Sequence, residues 1–247
     1  MKIAVINPNT TASMTATIAD AARRVANAGT EIEAITSSMG PVSIEGYYDE
    51  VFAIPGLLVE IAKAERGGAQ AIVIACFDDT GLDAARALAS IPVIGICEAA
   101  VAATSFIAQR FSIVTTMERS RLPVEHLVHR YGMSGRCKVR AADVPVLSLE
   151  DPNSNARDRL RREIVAALRD DRAEAIVLGC AGMADLTLEL RHEFGVPVVD
   201  GVAAAVKQAE SLVALGLSTA KRGAYATPIH KPYLGALESF SPAAMGV

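Results

Sequence analysis

The chain has 247 residues, 51% hydrophobic and 21% charged, enough to bury a sizeable core and too apolar for a disordered segment. A net charge of −4 with no long Lys/Arg run speaks against nucleic acid as a partner, and the densest basic patch, Arg157 to Arg162, reads as a solvated helix face. Aromatics are 4% and Trp is absent, so the core must be Ala, Val, Ile and Leu, a mix suited to parallel strands under Ala-rich helices.

The opening stretch, MKIAVINPNTT, turns polar too soon for a secretion signal, and no run of about 18 apolar residues reads as a membrane span. The four cysteines are therefore expected as reduced thiols in a cytoplasmic protein. Apolar runs bounded by turn signals predict strands at residues 2–7, 31–36, 71–76, 93–96, 111–115, 138–143, 175–179 and 196–200. Helical stretches fall between them at 11–28, 49–66, 82–89, 99–110, 119–131, 155–170, 186–193 and 203–215. This alternation predicts an α/β protein with mainly parallel sheets.

The pattern also repeats. "AIVIACFDDT" at 71–80 returns as "AIVLGCAGMA" at 175–184, and placing Cys76 on Cys180 sets an offset of 104 residues. Pro92-Val93 falls on Pro197-Val198, and Ala99-Ala100-Val101 on Ala204-Ala205-Val206, at an offset of 105. Strand, cysteine, helix, Pro-Val strand and Ala-rich helix thus occur twice, as two copies of one unit.

Ligands of open parallel sheets bind beyond the carboxyl ends of the strands. The polar tips at such ends are Asn7 and Asn9; Cys76, Phe77, Asp78 and Asp79; Thr115 and Thr116; and Cys180, Ala181, Gly182 and Met183. If the halves face each other about a pseudo-twofold axis, both cysteines point into one cleft. Cys97 falls on Val202 in the repeat and Cys137 sits in a polar turn, so both read as inert. No metal is expected: neither Cys76 nor Cys180 has a His or Cys nearby in sequence, and His126, His129, His192 and His230 lie on helices or the tail. A single Cys nucleophile with a His base would leave the duplicate unexplained, and a redox pair would want C-x-x-C.

Inversion of a carbon centre does explain two thiols. One thiolate removes a proton from one face while a thiol delivers another to the opposite face, and the roles exchange for the reverse reaction. Each Cys is expected just before a helix N-terminus, where free N–H groups favour thiolate and can stabilise an enolate-like carbanion.

These residues resemble the Asp/Glu/hydantoin racemase superfamily, and more narrowly its hydantoin and allantoin racemases. The matching phrases are "INPNT" (6–10), "SIEG" (43–46), "IACFDD-GL" (74–82), "PVIGI" (92–96), "FSIVTT" (111–116), "IVLGCAGM" (176–183), "VPV-DGV" (196–202) and "ESLVALG" (210–216). The resemblance implies two similar Rossmann-like domains with the active site in the cleft between them. It divides the chain into 1–98 plus 207–247 and 99–206, and implies two-base racemisation at C5 of a 5-substituted hydantoin, without cofactor or metal, in a homo-oligomer. Carried over residue by residue, Cys76 and Cys180 are the catalytic pair, and Asn9, Glu45, Gly46, Thr115, Thr116 and the Gly182 segment line the pocket. Amide and hydroxyl groups at the strand tips suit a neutral imide ring, whereas a free amino acid would call for a cationic clamp that the tips lack. Asn-Pro-Asn also reads as a plain turn, Glu45 as a loop cap, and Asp78 and Asp79 as helix caps or as groups touching the thiol or the substituent. "FDDTGL" departs from several relatives, which leaves amino-acid-derived hydantoins and allantoin both open. Other superfamily reactions (amino-acid racemisation, decarboxylation, cis–trans isomerisation) and a non-catalytic small-ligand-binding role remain the alternatives.

Overall fold

Eight strands form two parallel sheets among residues 1–149, 151 and 153–246, the residues described by the computed structural model. The first half runs β1 (Lys2–Asn7), α1 (Ala12–Val25), β2 (Glu31–Thr36), α2 (Tyr47–Arg66), β3 (Ala71–Ile74), α3 (Leu82–Leu88) and β4 (Val93–Gly95). The second runs α4 (Ile96–Ser105), β5 (Phe111–Thr115), α5 (Arg121–Arg130), β6 (Cys137–Ala141), α6 (Ala156–Asp170), β7 (Ala175–Gly179), α7 (Thr187–Phe194) and β8 (Val198–Asp200). α8 (Gly201–Ala214) and the short α9 (Pro242–Met245) complete the chain.

The strand orders are β2-β1-β3-β4 and β6-β5-β7-β8, one topology used twice. Register makes the repeat physical. Ile72 pairs with Val93 as Ile176 pairs with Val198, so the offsets of 104 and 105 read from the sequence are the offsets of the sheets. Ile3 and Phe111 likewise lie opposite Ala71 and Ala175.

Both faces of each sheet are covered, which is why the strands read as unbroken apolar runs. Ile3, Val5, Ala71 and Val73 turn to one face, and Ala4, Ile6, Ile72 and Ile74 to the other, where Leu57 and Ile61 of α2 cover them. In the second sheet Ile176 and Leu178 meet Leu160 and Ile164 of α6, while Ile113 and Val177 face inward. The inward faces of both sheets share one continuous core with α1, α4 and α8.

Of the boundaries that differ from the expected ones, three concern the Cys76 segment and the helix after β4. β3 stops at Ile74, two residues short of Cys76, so the thiol stands on a turn rather than a strand. α4 starts at Ile96, directly after β4, three residues before its expected start at 99, because an acidic side chain from another loop caps it (described below). It ends at Ser105 rather than 110, where the Arg136 guanidinium donates to the carbonyls of Ser105 (2.9 Å), Ala108 (2.6 Å) and Gln109 (3.1 Å) and takes up the free acceptors of the helix end.

Beyond α8 the chain returns to the first half. The Thr219 amide donates to the Ser90 carbonyl at 2.9 Å, and the Lys221 ammonium donates to the carbonyls of Arg86 and Ala89 at the C-terminus of α3.

Candidate active site

The ends of β1, β3, β5 and β7, the central strands of each sheet, meet around a cavity of about 400 Å³ including its mouth. Its wall contains Asn9 after β1; Ala75, Cys76, Phe77 and Asp78 after β3; Thr115, Thr116 and Ser120 after β5; and Gly179, Cys180 and Ala181 after β7. Met14, Ile44 and Val146 complete it, and none of these residues is Lys or Arg. Both thiols of the repeated phrase therefore face one space from opposite halves of the molecule. All four cysteines are thiols; Cys97 and Cys137 are buried in the shared core and do not line the cavity.

The turns that present the two thiols differ. Cys180 flanks a tight 3₁₀ segment, Ala181–Leu186, that runs into α7, as expected for a thiol at a helix start. Gly179 before it is required by close approach: a Cβ there would lie 2.9 Å from Thr115 Cα. Cys76, in contrast, is followed by five residues of turn before α3, so its expected place at a helix N-terminus is not found. Asp79 takes φ +46° and Gly81 φ +65° to make that turn.

Of the other expected site residues, Asn9, Phe77, Asp78, Thr115, Thr116 and Ala181 are on the wall, and Asn7, Glu45, Gly46, Asp79, Gly182 and Met183 are not. Of these six, Asn7 and Glu45 hydrogen-bond to wall residues, and Asp79 bonds to α4 and Tyr131. Asn7 is fully buried and donates to Asn9 Oδ1 at 2.8 Å and to Thr15 Oγ1 at 3.1 Å, which holds Asn9 in place. Glu45 Oε1 accepts the amide of Val146 at 3.0 Å, a bond from the first half to the second. Gly46 opens α2 beside the Arg119 side chain. A Cβ on Gly182 would stand 3.7 Å from Cys180 Sγ, and Met183 is wholly buried. Asp79 accepts the amides of Cys97 and Glu98, both at 2.9 Å, and the Tyr131 hydroxyl at 2.5 Å. It caps α4, not the helix of its own loop.

The Asp/Glu/hydantoin racemase family pattern matches residues 3–209, most of the chain. The chain belongs to that family. It is 50% identical to a hydantoin racemase of Rhizobium meliloti, over 95% of this chain and 98% of the relative. A hydantoin racemase of Pseudomonas sp. strain NS671 is 48% identical over 97% of both chains. The structure of an allantoin racemase from Klebsiella pneumoniae superposes with a TM-score of 0.94 at 50% identity, covering 98% of this chain and 99% of that one. These likenesses make this family member an isomerase of the racemase type, with the α/β fold of two similar halves.

Electrostatics in the racemase cavity are set by burial without a counter-charge. Burial pushes the Cys76 thiol well up, and the Asp78 carboxylate adds to this; the Thr80 hydroxyl and the Asp78 amide oppose it by hydrogen bonding to the sulfur, and Cys180 is close enough to add a smaller upward push. Thr80 is wholly buried beside that sulfur, and its hydroxyl has no hydrogen-bond partner of good geometry among the described residues. Asp78 is raised to about 7 by burial and by the charges of Glu50 and Asp79. Asp79 is also raised to about 7 by burial, against the pull of its bonds from Tyr131, Cys97 and Glu98.

Sequence reasoning missed Met14, Ile44, Ala75, Ser120, Val146 and Gly179. Ala75 and Gly179 directly precede the cysteines, and Ser120 follows Thr116 within one turn, so adjacency was an available signal. Val146 carried none, because it reaches the wall through Glu45, 101 residues away in the chain. Among the described residues no group of three His, Cys, Asp or Glu is placed to hold a metal. His126 instead meets the Tyr47 hydroxyl and His129 the Ser134 hydroxyl, each at 3.3 Å on the exterior. No described helix is long and apolar enough to cross a membrane.

Proposed function

We propose that the chain racemises 5-substituted hydantoins by removing the C5 proton with one of Cys76 and Cys180 and returning a proton from the other. The observation that carries this reading is the pair of thiols reaching one cavity from equivalent strand ends of the two halves. The C5 hydrogen of a hydantoin lies beside a ring carbonyl, and the electron pair left by its removal delocalises into that carbonyl. A thiolate on one face takes the hydrogen as a proton while the thiol on the other supplies its own, so substrate and product end with the same atoms and opposite handedness. A wall of amide, hydroxyl and carboxyl groups without Lys or Arg favours a neutral imide ring over a free amino acid. Asn9, Phe77, Thr115, Thr116 and Ala181 are the residues placed to touch the ring. Asn7 and Glu45 brace the wall through Asn9 and Val146, and no cofactor takes part in these steps.

The same reading divides the chain into 1–98 with 207–247 and 99–206, supported by the return of Thr219 and Lys221 to the first half. It places the reduced thiols in the cytoplasm. It also assigns the exposed Phe106, Ile107 and Leu188, which line an apolar groove beside α4 and α8, to contact with a second copy of the chain, testable by light scattering of Phe106→Glu against wild type.

The deciding experiment follows the circular dichroism of enantiopure allantoin, 5-benzylhydantoin and 5-isopropylhydantoin in D₂O. Loss of the signal with one deuterium gained at C5 is expected for at least one substrate. Stable dichroism with all three would overturn the reading.

A further inference from the structure

The polar groups of the cavity wall divide into those spent on the protein and those left for a ligand. Asn9 Oδ1 accepts from Asn7 Nδ2 and from the Thr11 amide, its Nδ2 donates to the Met14 sulfur, and the Thr115 hydroxyl donates to the Gly179 carbonyl. The Asp78 carboxyl and the hydroxyls of Thr116 and Ser120 have no hydrogen-bond partner among the described residues, though all three line the cavity. Asp78 stands out because it is an acid with no cation to face. The charged groups that act on it, Glu50 and Asp79, are acids too, and Asp79 is engaged by α4 and Tyr131.

A carboxyl in such surroundings holds its proton more tightly than one in water; burial and the two acids raise Asp78 to about 7. Near neutrality it then offers an O–H donor and a carbonyl acceptor side by side. An amide or urea presents the complementary pair, an N–H beside a C=O. A hydrocarbon substituent would desolvate the carboxyl and give it nothing in return. A cationic substituent would gain one acid and meet a wall that is otherwise neutral.

We propose that Asp78 is the specificity-determining residue of this site and pairs with a neutral amide or ureido group carried on C5, with the Thr116 and Ser120 hydroxyls available from the other half of the cavity. The inference rests on the racemase reading above and adds to it the class of substituent. Hydantoins with a ureido group on C5 are then preferred over those with alkyl or aryl groups.

The test compares kcat/KM for enantiopure allantoin, 5-isopropylhydantoin and 5-(4-aminobutyl)hydantoin in wild type, Asp78→Ala and Asp78→Asn. Wild type is expected to prefer allantoin. Asp78→Ala should lower the ratio of kcat/KM on allantoin to that on the isopropyl compound by at least about tenfold, whatever rate change the two substrates share, as removal of one hydrogen-bonding group to the substituent predicts. Asp78→Asn, which keeps an acceptor beside a donor, should retain most of the preference. If Asp78→Ala does not fold, Asp78→Leu removes the same polar atoms while keeping the branched outline and gives the same readout. Equal losses on both substrates would overturn the inference, because Asp78 would then serve the ring or the thiol. So would a wild-type preference for the isopropyl or aminobutyl compound, with the racemase reading intact. Racemisation of none of the three would instead bring down the racemase reading itself.

Discussion

Asp79 and Asp200 perform the same task in the two halves by different routes. Asp200 caps α8 from the residue before it, its carboxylate accepting the amides of Val202 at 2.9 Å and Ala203 at 3.1 Å. The equivalent helix, α4, begins after Gly95, which has no side chain, and Asp79 reaches over from the Cys76 turn to accept the equivalent amides of Cys97 and Glu98. A Cβ on Gly95 would lie 2.2 Å from Asp79 Oδ1, so the glycine is what admits the distant cap. The turn bearing one thiol is thereby pinned to α4 and, through Tyr131, to the end of α5.

Asp79→Ala leaves two helix amides and the Tyr131 hydroxyl without their acceptor, and we expect a loss of about 3 kcal/mol or more, seen as a fall in Tm of roughly 6–12 °C. Tyr131→Phe removes one donor and should cost about 1 kcal/mol. Asp200→Ala should cost about 1–2 kcal/mol, as loss of a cap does, and leave kcat/KM within about twofold. Equal losses of activity from Asp79→Ala and Asp200→Ala would show that the Cys76 turn does not depend on this anchor.

Glu45 joins the halves through Val146, a residue of the cavity wall. Glu45→Ala should raise KM and lower kcat/KM by about tenfold, the worth of one hydrogen bond to a charged acceptor, whereas Glu45→Gln keeps an acceptor and should stay near wild type. Steady-state kinetics on both variants check this; an unchanged KM in Glu45→Ala would assign the bond to stability alone.

Stability should fall as pH rises through the mildly acidic range. An unfolded Asp releases its proton near 3.9, while Asp78 in the folded chain holds its proton to about 7, so between these values the folded state binds more protons than the unfolded. Asp78 therefore favours folding below about 4 and progressively less up to about 7, beyond which the loss is complete. Asp78→Asn should match wild type at about pH 4, gain on it steadily above that, and melt at least about 3 °C higher at pH 8. A Tm difference independent of pH would refute the assignment.

The two thiols should fail separately. Cys76→Ser and Cys180→Ser are each expected to lower racemisation by at least about 10²-fold, the contribution of one positioned acid or base. Each single variant should still exchange the C5 hydrogen of one enantiomer only, and the two variants should choose opposite enantiomers. Because burial raises Cys76, its alkylation by iodoacetamide should be slow at pH 7 and quicken towards pH 9. Wild-type rates in both single variants would end the two-base reading.

Strand positions were legible in the chain because buried parallel strands need continuous apolar runs, and β1, β2, β5 and β7 have the predicted bounds. The repeat was legible because both sheets keep the same spacing from strand to cysteine to Pro-Val strand to within one residue. Ends set by distant groups were not: α4 begins where Asp79 supplies its cap and stops where Arg136 takes the carbonyl of its last residue, and neither partner is local. Asn7 and Asp79 look like ligand groups among the polar strand tips, yet both are spent on the protein, and only three-dimensional hydrogen bonding separates them from Thr116 and Asp78.

By itself, then, the sequence determined two parallel α/β halves with a thiol at the same strand end of each, because apolar periodicity and local turn chemistry act over a few residues. The tertiary structure alone decided that the thiols share one cavity, that Glu45 ties the two halves together through Val146, and that of two adjacent acids Asp79 is consumed in capping α4 while Asp78 lines the cavity. Those outcomes depend on which groups meet across a hundred residues of chain, and on which side of a wall a carboxyl loses its water.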